Sequence, residues 1–85
     1  MDCKINFENK KYQVGDKLFV HLKNSLNNDL FNWSFSLIIK NKLSDDTYVG
    51  DISSIFSSCP YSLMEAGYQF EIIKGTRRIG FGKIL

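Results

Sequence analysis

Alanine is almost missing from this 85-residue chain: Ala66 is the only one. The strongest helix former is therefore withheld, while nine Ile, three Val, seven Phe and four Tyr are supplied, which argues against a helical domain and for sheet. Proline is equally scarce. The single Pro60 follows Ser57-Ser58-Cys59, where an extended or turning segment suits it, and no Pro-, Gly- or Ser-rich linker divides the chain. No apolar run approaches the roughly 20 residues of a membrane helix, and the opening residues MDCKINFENKK lack the apolar core of a secretory signal. A cytoplasmic protein with no membrane partner is expected.

Only two cysteines occur, Cys3 and Cys59. Their separation matches no metal-ligand spacing, so two reduced thiols are expected rather than a disulfide or a zinc site. In that setting Asn32-Trp33-Ser34 has no meaning as a glycan acceptor. Charge is nearly balanced, with 11 Lys+Arg against 9 Asp+Glu and a net charge of +2; this does not make non-specific nucleic-acid binding the default, and no DNA partner is expected. The length leaves room for one domain, residues 1–85, and none for a second catalytic lobe.

Alternation marks the strands. Cys3, Ile5 and Phe7 alternate with Lys4, Asn6 and Glu8, leading to a turn at Asn9-Lys10. Leu18, Val20 and Leu22 share one face of a second strand, with Phe19 and His21 on the other. After the polar stretch Asn24 to Asp29, the run Phe31, Trp33, Phe35, Leu37 and Ile39 predicts a long third strand, with Trp33 and Phe35 in the core. Asn41 to Asp46 reads as a loop, and Tyr48 to Phe56 as one or two short strands.

The last third carries a hairpin signature. Gly75-Thr76 separates two apolar-periodic runs, the composition of a type II′ turn. With Lys74 opposite Arg77, Ile72 falls opposite Ile79 and Phe70 opposite Phe81, placing four apolar side chains on one face. Gly80 and Gly82 then occupy the reverse face, where glycines two apart signal a barrel bend or the close approach of another backbone.

This hairpin and the loop before it resemble the C-terminal, third β-barrel domain of the elongation factor Tu and elongation factor 1A family. The shared pattern is a proline loop, M-x-x-G-x-x-F, a strand, a glycine turn followed by arginine, and a V-G-x-G-like closing strand. Pro60, Met64, Gly67, Phe70, Gly75, Arg77, Ile79, Gly80 and Gly82 occupy those places, with one extra residue between Pro60 and Met64. The match spans about 26 residues; residues 1–59 carry no comparable motif but have the length for the earlier strands. The resemblance implies an all-β fold: a small six-stranded antiparallel barrel, closed or nearly closed and Greek-key-like. It also implies a non-catalytic binding surface, since the family's nucleotide chemistry resides in a separate GTPase domain. No cofactor or nucleotide is expected. Consistently, Gly75-x-x-x-x-Gly80 lacks the Lys-Ser/Thr of a P-loop, and Asn41-Lys42-Leu43-Ser44-Asp45 puts its aspartate one residue too late for a guanine-specificity motif.

Catalysis needs convergent acids, bases or nucleophiles, and none is apparent. The sole histidine, His21, has no telling neighbour; Cys59 beside Pro60 is a remote candidate for a reactive thiol; and Asp45, Asp46 and Asp51 lack the spacing of a calcium loop. The candidate surface is the basic group Lys74, Arg77 and Arg78 at the hairpin tip, with Lys83 farther along. The expected function is a non-enzymatic binding module that recognises a protein partner first and RNA or tRNA second. A translation-associated role, an immunity or antitoxin role that blocks a toxin's active surface, and a small thiol-dependent enzyme or sensor are the alternatives.

Overall fold

Burial with a period of two runs through nearly every extended segment of the chain, and it decides which side of the sheet becomes the interior. The computed structural model describes every residue except Lys10, Ser25, Asn27 and Asn28; the turn expected at Asn9-Lys10 therefore lies partly outside the described residues. The strands are β1 (Asp2–Phe7), β2 (Lys17–Lys23), β3 (Phe35–Lys42), β4 (Thr47–Ser54), β5 (Gln69–Lys74) and β6 (Arg77–Ile84), with one short 3-10 turn at Tyr61–Leu63. All pairings are antiparallel, and the order β1-β4-β3-β2-β5-β6 closes with β6 back against β1. β2, β3 and β4 form a meander flanked by β1 beside β4 and β5 beside β2, which is Greek-key connectivity. Closure removes the exposed sheet edges that a small β domain must otherwise protect.

The interior is filled by the residues that alternation selects. Cys3, Ile5 and Phe7 of β1, Leu18, Val20 and Leu22 of β2, and Phe35, Leu37 and Ile39 of β3 are all buried, as are Tyr48, Ile52, Phe70, Ile72, Ile79 and Ile84. Burying one such aliphatic or aromatic side chain contributes about 1.5–3 kcal/mol. One end is plugged by aromatics: Phe7 packs against Tyr12 at 4.7 Å and edge-on to Tyr48 at 5.5 Å, and the Tyr48 hydroxyl donates to the Tyr12 carbonyl at 3.3 Å. Leu30, Cys59 and Met64 enter the same core from loops.

Two segments depart from the sequence reading, and a third settles an alternative it left open. The third strand begins at Phe35 rather than Phe31. Leu30 is drawn into the core, the Trp33 N–H bonds the Leu30 carbonyl at 3.1 Å, and this turn leaves Phe31 exposed and Trp33 half-buried against the core. Asn41 and Lys42 extend β3 instead of opening the loop, past a bulge between Ile39 and Asn41. Tyr48 to Phe56 holds one strand, β4, which ends at Ser54.

A further departure concerns the hairpin. Gly75 has φ +66° while Thr76 does not have positive φ, as a type II′ turn requires, and Lys74 does face Arg77. Beyond this, Ile73 pairs with Arg78, Ile72 with Gly80, Glu71 with Phe81 and Phe70 with Gly82, so Ile79 is an extra, bulged residue. Phe70, Ile72 and Ile79 point inward, but Phe81 is turned out and 44% exposed. The phenylalanine pair expected from simple alternation is not formed. A narrow barrel has no room for it: a Cβ on Gly82 would sit 2.3 Å from Phe70 Cε2, so the Phe70 ring already fills the space over that glycine. Gly80 is the close approach of another backbone, because a Cβ there would lie 2.4 Å from the Asn6 carbonyl oxygen of β1.

Candidate functional site

Charge on the outer wall is arranged by strand register rather than by sequence proximity. The four basic residues singled out in the sequence do not form one surface. Lys74 and Arg77 sit at the exposed hairpin tip, whereas Lys83 lies six residues farther along β6, roughly 20 Å away at strand rise. Arg78 is committed within the fold. Its Nε donates to Glu8 and its Nη1 to Glu71 at 2.9 Å, and its guanidinium lies 4.6 Å above the Phe81 ring. The hydrogen bonds it donates to Glu71 and Glu8 raise its already high pKa further. It is a strut between β5, β6 and the segment after β1, not a free cation.

Lys83 instead joins two lysines from the other half of the chain. Closure of β6 on β1 puts Lys4 directly opposite Lys83, and β2 brings Lys23 opposite Glu71 on the far side of β5. Between them runs a groove of about 550 Å³ across β1, β6, β5 and β2. Lys4 and Asn6 of β1 and Phe81 and Lys83 of β6 line one side; Gln69 and Glu71 of β5, with Lys23 and Asn24, line the other. Phe81, the residue displaced outward by the Ile79 bulge, supplies the aromatic wall.

The groove has an uncompensated charge. Directly opposed like charges destabilise a strand pair, and Lys4 and Lys83 are such a pair. The carboxylate nearest in the register, Glu71, is occupied by Arg78, and Asp2 is held by Lys40 at 3.0 Å. Among the described residues no carboxylate forms an ion pair with Lys4, Lys23 or Lys83. The polar residues between them leave hydrogen-bonding groups nearby: Asn6 Nδ2 donates to Thr47 Oγ1 at 2.8 Å, and Asn24 Nδ2 to the Gln69 carbonyl at 2.6 Å. Lys4 and Lys23 were not legible as site residues, because neither adjoins Lys83 in sequence and only the closed topology unites them.

Other surfaces have different chemistry. His21 is tied to the fold, its Nδ1 donating to the Phe31 carbonyl at 2.9 Å and its ring 5.8 Å from that of Phe31. Ile55 and Phe56 are exposed after β4, and Phe56 packs edge-on to Trp33 at 6.2 Å, forming an apolar patch. Both thiols are free and buried. Burial pushes the Cys3 thiol up to about 12, and burial also raises that of Cys59, in part offset by a hydrogen bond with Ser54. Thiolate, the reactive form, is correspondingly scarce at neutral pH. Among the described residues no three His, Cys, Asp or Glu side chains are grouped to hold a metal ion, and no helix is long and apolar enough to cross a membrane.

Comparison with known proteins gives no relative: no protein-family model matches the chain, no curated protein matches its sequence, and no solved structure matches its fold.

Proposed function

We propose that this chain is a non-enzymatic binding module and that the groove across β1, β6, β5 and β2 holds an extended, negatively charged partner. The observation that carries this reading is the set of three lysines, Lys4, Lys23 and Lys83, gathered around Phe81, with none of which a carboxylate among the described residues forms an ion pair. A polyanion lying there relieves the Lys4–Lys83 repulsion and gains apolar contact with Phe81. The elongation-factor likeness of the closing hairpin points the same way, since that domain is a binding surface without chemistry of its own. Two free thiols accord with a reducing, cytoplasmic setting.

Amide chemical shifts followed during titration with a polyanion test this reading. Shifts confined to Lys4, Lys23, Phe81 and Lys83 are expected, with loss of binding in a Lys4→Glu, Lys23→Glu, Lys83→Glu variant and retention in Lys74→Glu, Arg77→Glu. Shifts centred on the hairpin tip would overturn the choice of site.

A second reading is favoured by the Trp33–Phe56 pair. Exposed apolar clusters rimmed by polar residues are characteristic of protein interfaces, and Ile55 and Phe56 present one beside the barrel wall. A protein partner docked there, including a toxin neutralised by occlusion, is distinguished from a polyanion by insensitivity to the lysine reversals and loss of binding in Phe56→Ser.

A further inference from the structure

Resting on the reading that the groove holds a polyanion, we infer that its partner is a single-stranded nucleic acid, with successive phosphates on Lys4, Lys83 and Lys23 and a base against Phe81. Spacing is the first reason. Lys4 and Lys83 have Cβ atoms about 5 Å apart as a cross-strand pair, and their long side chains can splay to neighbouring phosphates. Lys23 lies two strands beyond Lys83 and two residues along, opposite Glu71 where Lys83 is opposite Gln69, so the three charges run obliquely over roughly 15 Å of sheet at about 4.8 Å per strand. That oblique track of point charges suits an extended chain of repeated charges.

The available cations permit this. Arginine's fork and lysine's point charge both bind phosphate oxygens; the guanidinium beside the groove, that of Arg78, is already bound to Glu8 and Glu71, so phosphate contact falls to the lysines. Phe81 is the second reason. An outward aromatic beside a basic track is the element on which unpaired bases stack; with Arg78 over one face of the ring, the base is placed on the other, and a duplex, whose bases are already stacked on each other, gains little from it. The bulge at Ile79 is what places that ring in the groove.

The test is binding of a labelled oligouridine of about ten nucleotides, a length in the range that one small barrel accommodates, measured at several salt concentrations. With about three phosphates neutralised, log K should fall with log salt at a slope of about −2. Lys4→Gln with Lys83→Gln should weaken binding and flatten the slope by about 1.4. Phe81→Leu should weaken binding roughly tenfold or more while leaving the slope unchanged. The same strand annealed to its complement should bind more weakly. Circular dichroism of each variant confirms that the barrel persists. Binding of polyglutamate without binding of oligouridine would overturn the nucleic-acid inference and leave the polyanion reading standing. Binding of neither would overturn both. Oligouridine binding that is indifferent to Lys4, Lys83 and Phe81 would also overturn the inference.

Discussion

Gly82→Ala distinguishes the observed hairpin register from its alternative by the sign of its effect. In the structure Gly82 is buried opposite Phe70, and the new methyl would start 2.3 Å from Phe70 Cε2 and 2.5 Å from Cζ. Ordinary van der Waals contact begins about 1 Å farther out, so the Phe70 ring must leave its position among the buried side chains. Overpacking of this kind costs about 1–3 kcal/mol. For a domain of this size each kcal/mol lowers Tm by about 4–8 °C, so a central value of 2 kcal/mol corresponds to a loss of roughly 8–16 °C. In the register read from simple alternation, Gly82 would face solvent. There alanine would relieve the entropic cost of a strand glycine and raise stability by about 0.5–1 kcal/mol. Thermal denaturation by circular dichroism reads the difference directly. Phe70→Leu combined with Gly82→Ala completes a double-mutant cycle, and the leucine should recover part of the loss because the clashing ring atoms are gone. A Gly82→Ala protein that melts at or above the parent temperature would refute the Phe70–Gly82 contact and, with it, the outward placement of Phe81.

Gly80→Ala should be more damaging than Gly82→Ala, because its methyl meets the Asn6 carbonyl and Phe7 Cα, which are backbone and cannot rotate away; comparison of the two melting curves checks the order. Phe81→Leu should lower stability by no more than about 1 kcal/mol, the scale of an exposed cation–π contact with Arg78, and chemical denaturation measures it. Native protein at pH 8 should react slowly with a thiol reagent at both cysteines and rapidly once unfolded, followed by absorbance of the released thiolate product. Burial raises the Cys3 thiol from 9.0 to about 12 in the folded chain, so its contribution to stability is full below pH 9 and is lost as pH rises from 9 towards 12. Urea titrations of Cys3→Ala should accordingly show a flatter alkaline limb than the parent.

The first two strands were legible because Cys3-Ile5-Phe7 and Leu18-Val20-Leu22 alternate in only one workable phase. Ile79-Gly80-Phe81-Gly82 admits two phases, since glycine is tolerated on either face, and a bulge inserted at Ile79 changes which one is used. The Phe31-Trp33 run alternates as well as any strand, yet burial of Leu30 and a backbone turn overrode that local pattern. The basic groove was the least accessible feature. Lys4 and Lys83 stand at opposite ends of the sequence, and no local rule pairs β1 with β6; that contact exists only because the barrel closes. The Arg78–Glu71 contact lies within one hairpin, but Glu8 as the second partner of Arg78 again required closure.

The pairing of β2 differs from that of β1. Cys3 has a partner on each side, Gly50 and Ile84, whereas β2 pairs through Lys17–Val20 with β3 and through His21–Lys23 with β5, no residue being laddered on both flanks. Strain or thermal breathing is relieved most cheaply where each residue is held from a single side. Lys23 belongs to that half-tethered strand, while Lys4 and Lys83 are anchored in the doubly stitched one and its neighbour. On this pairing, the β2 side of the cleft is expected to give way before the β1–β6 side wherever the cleft widens.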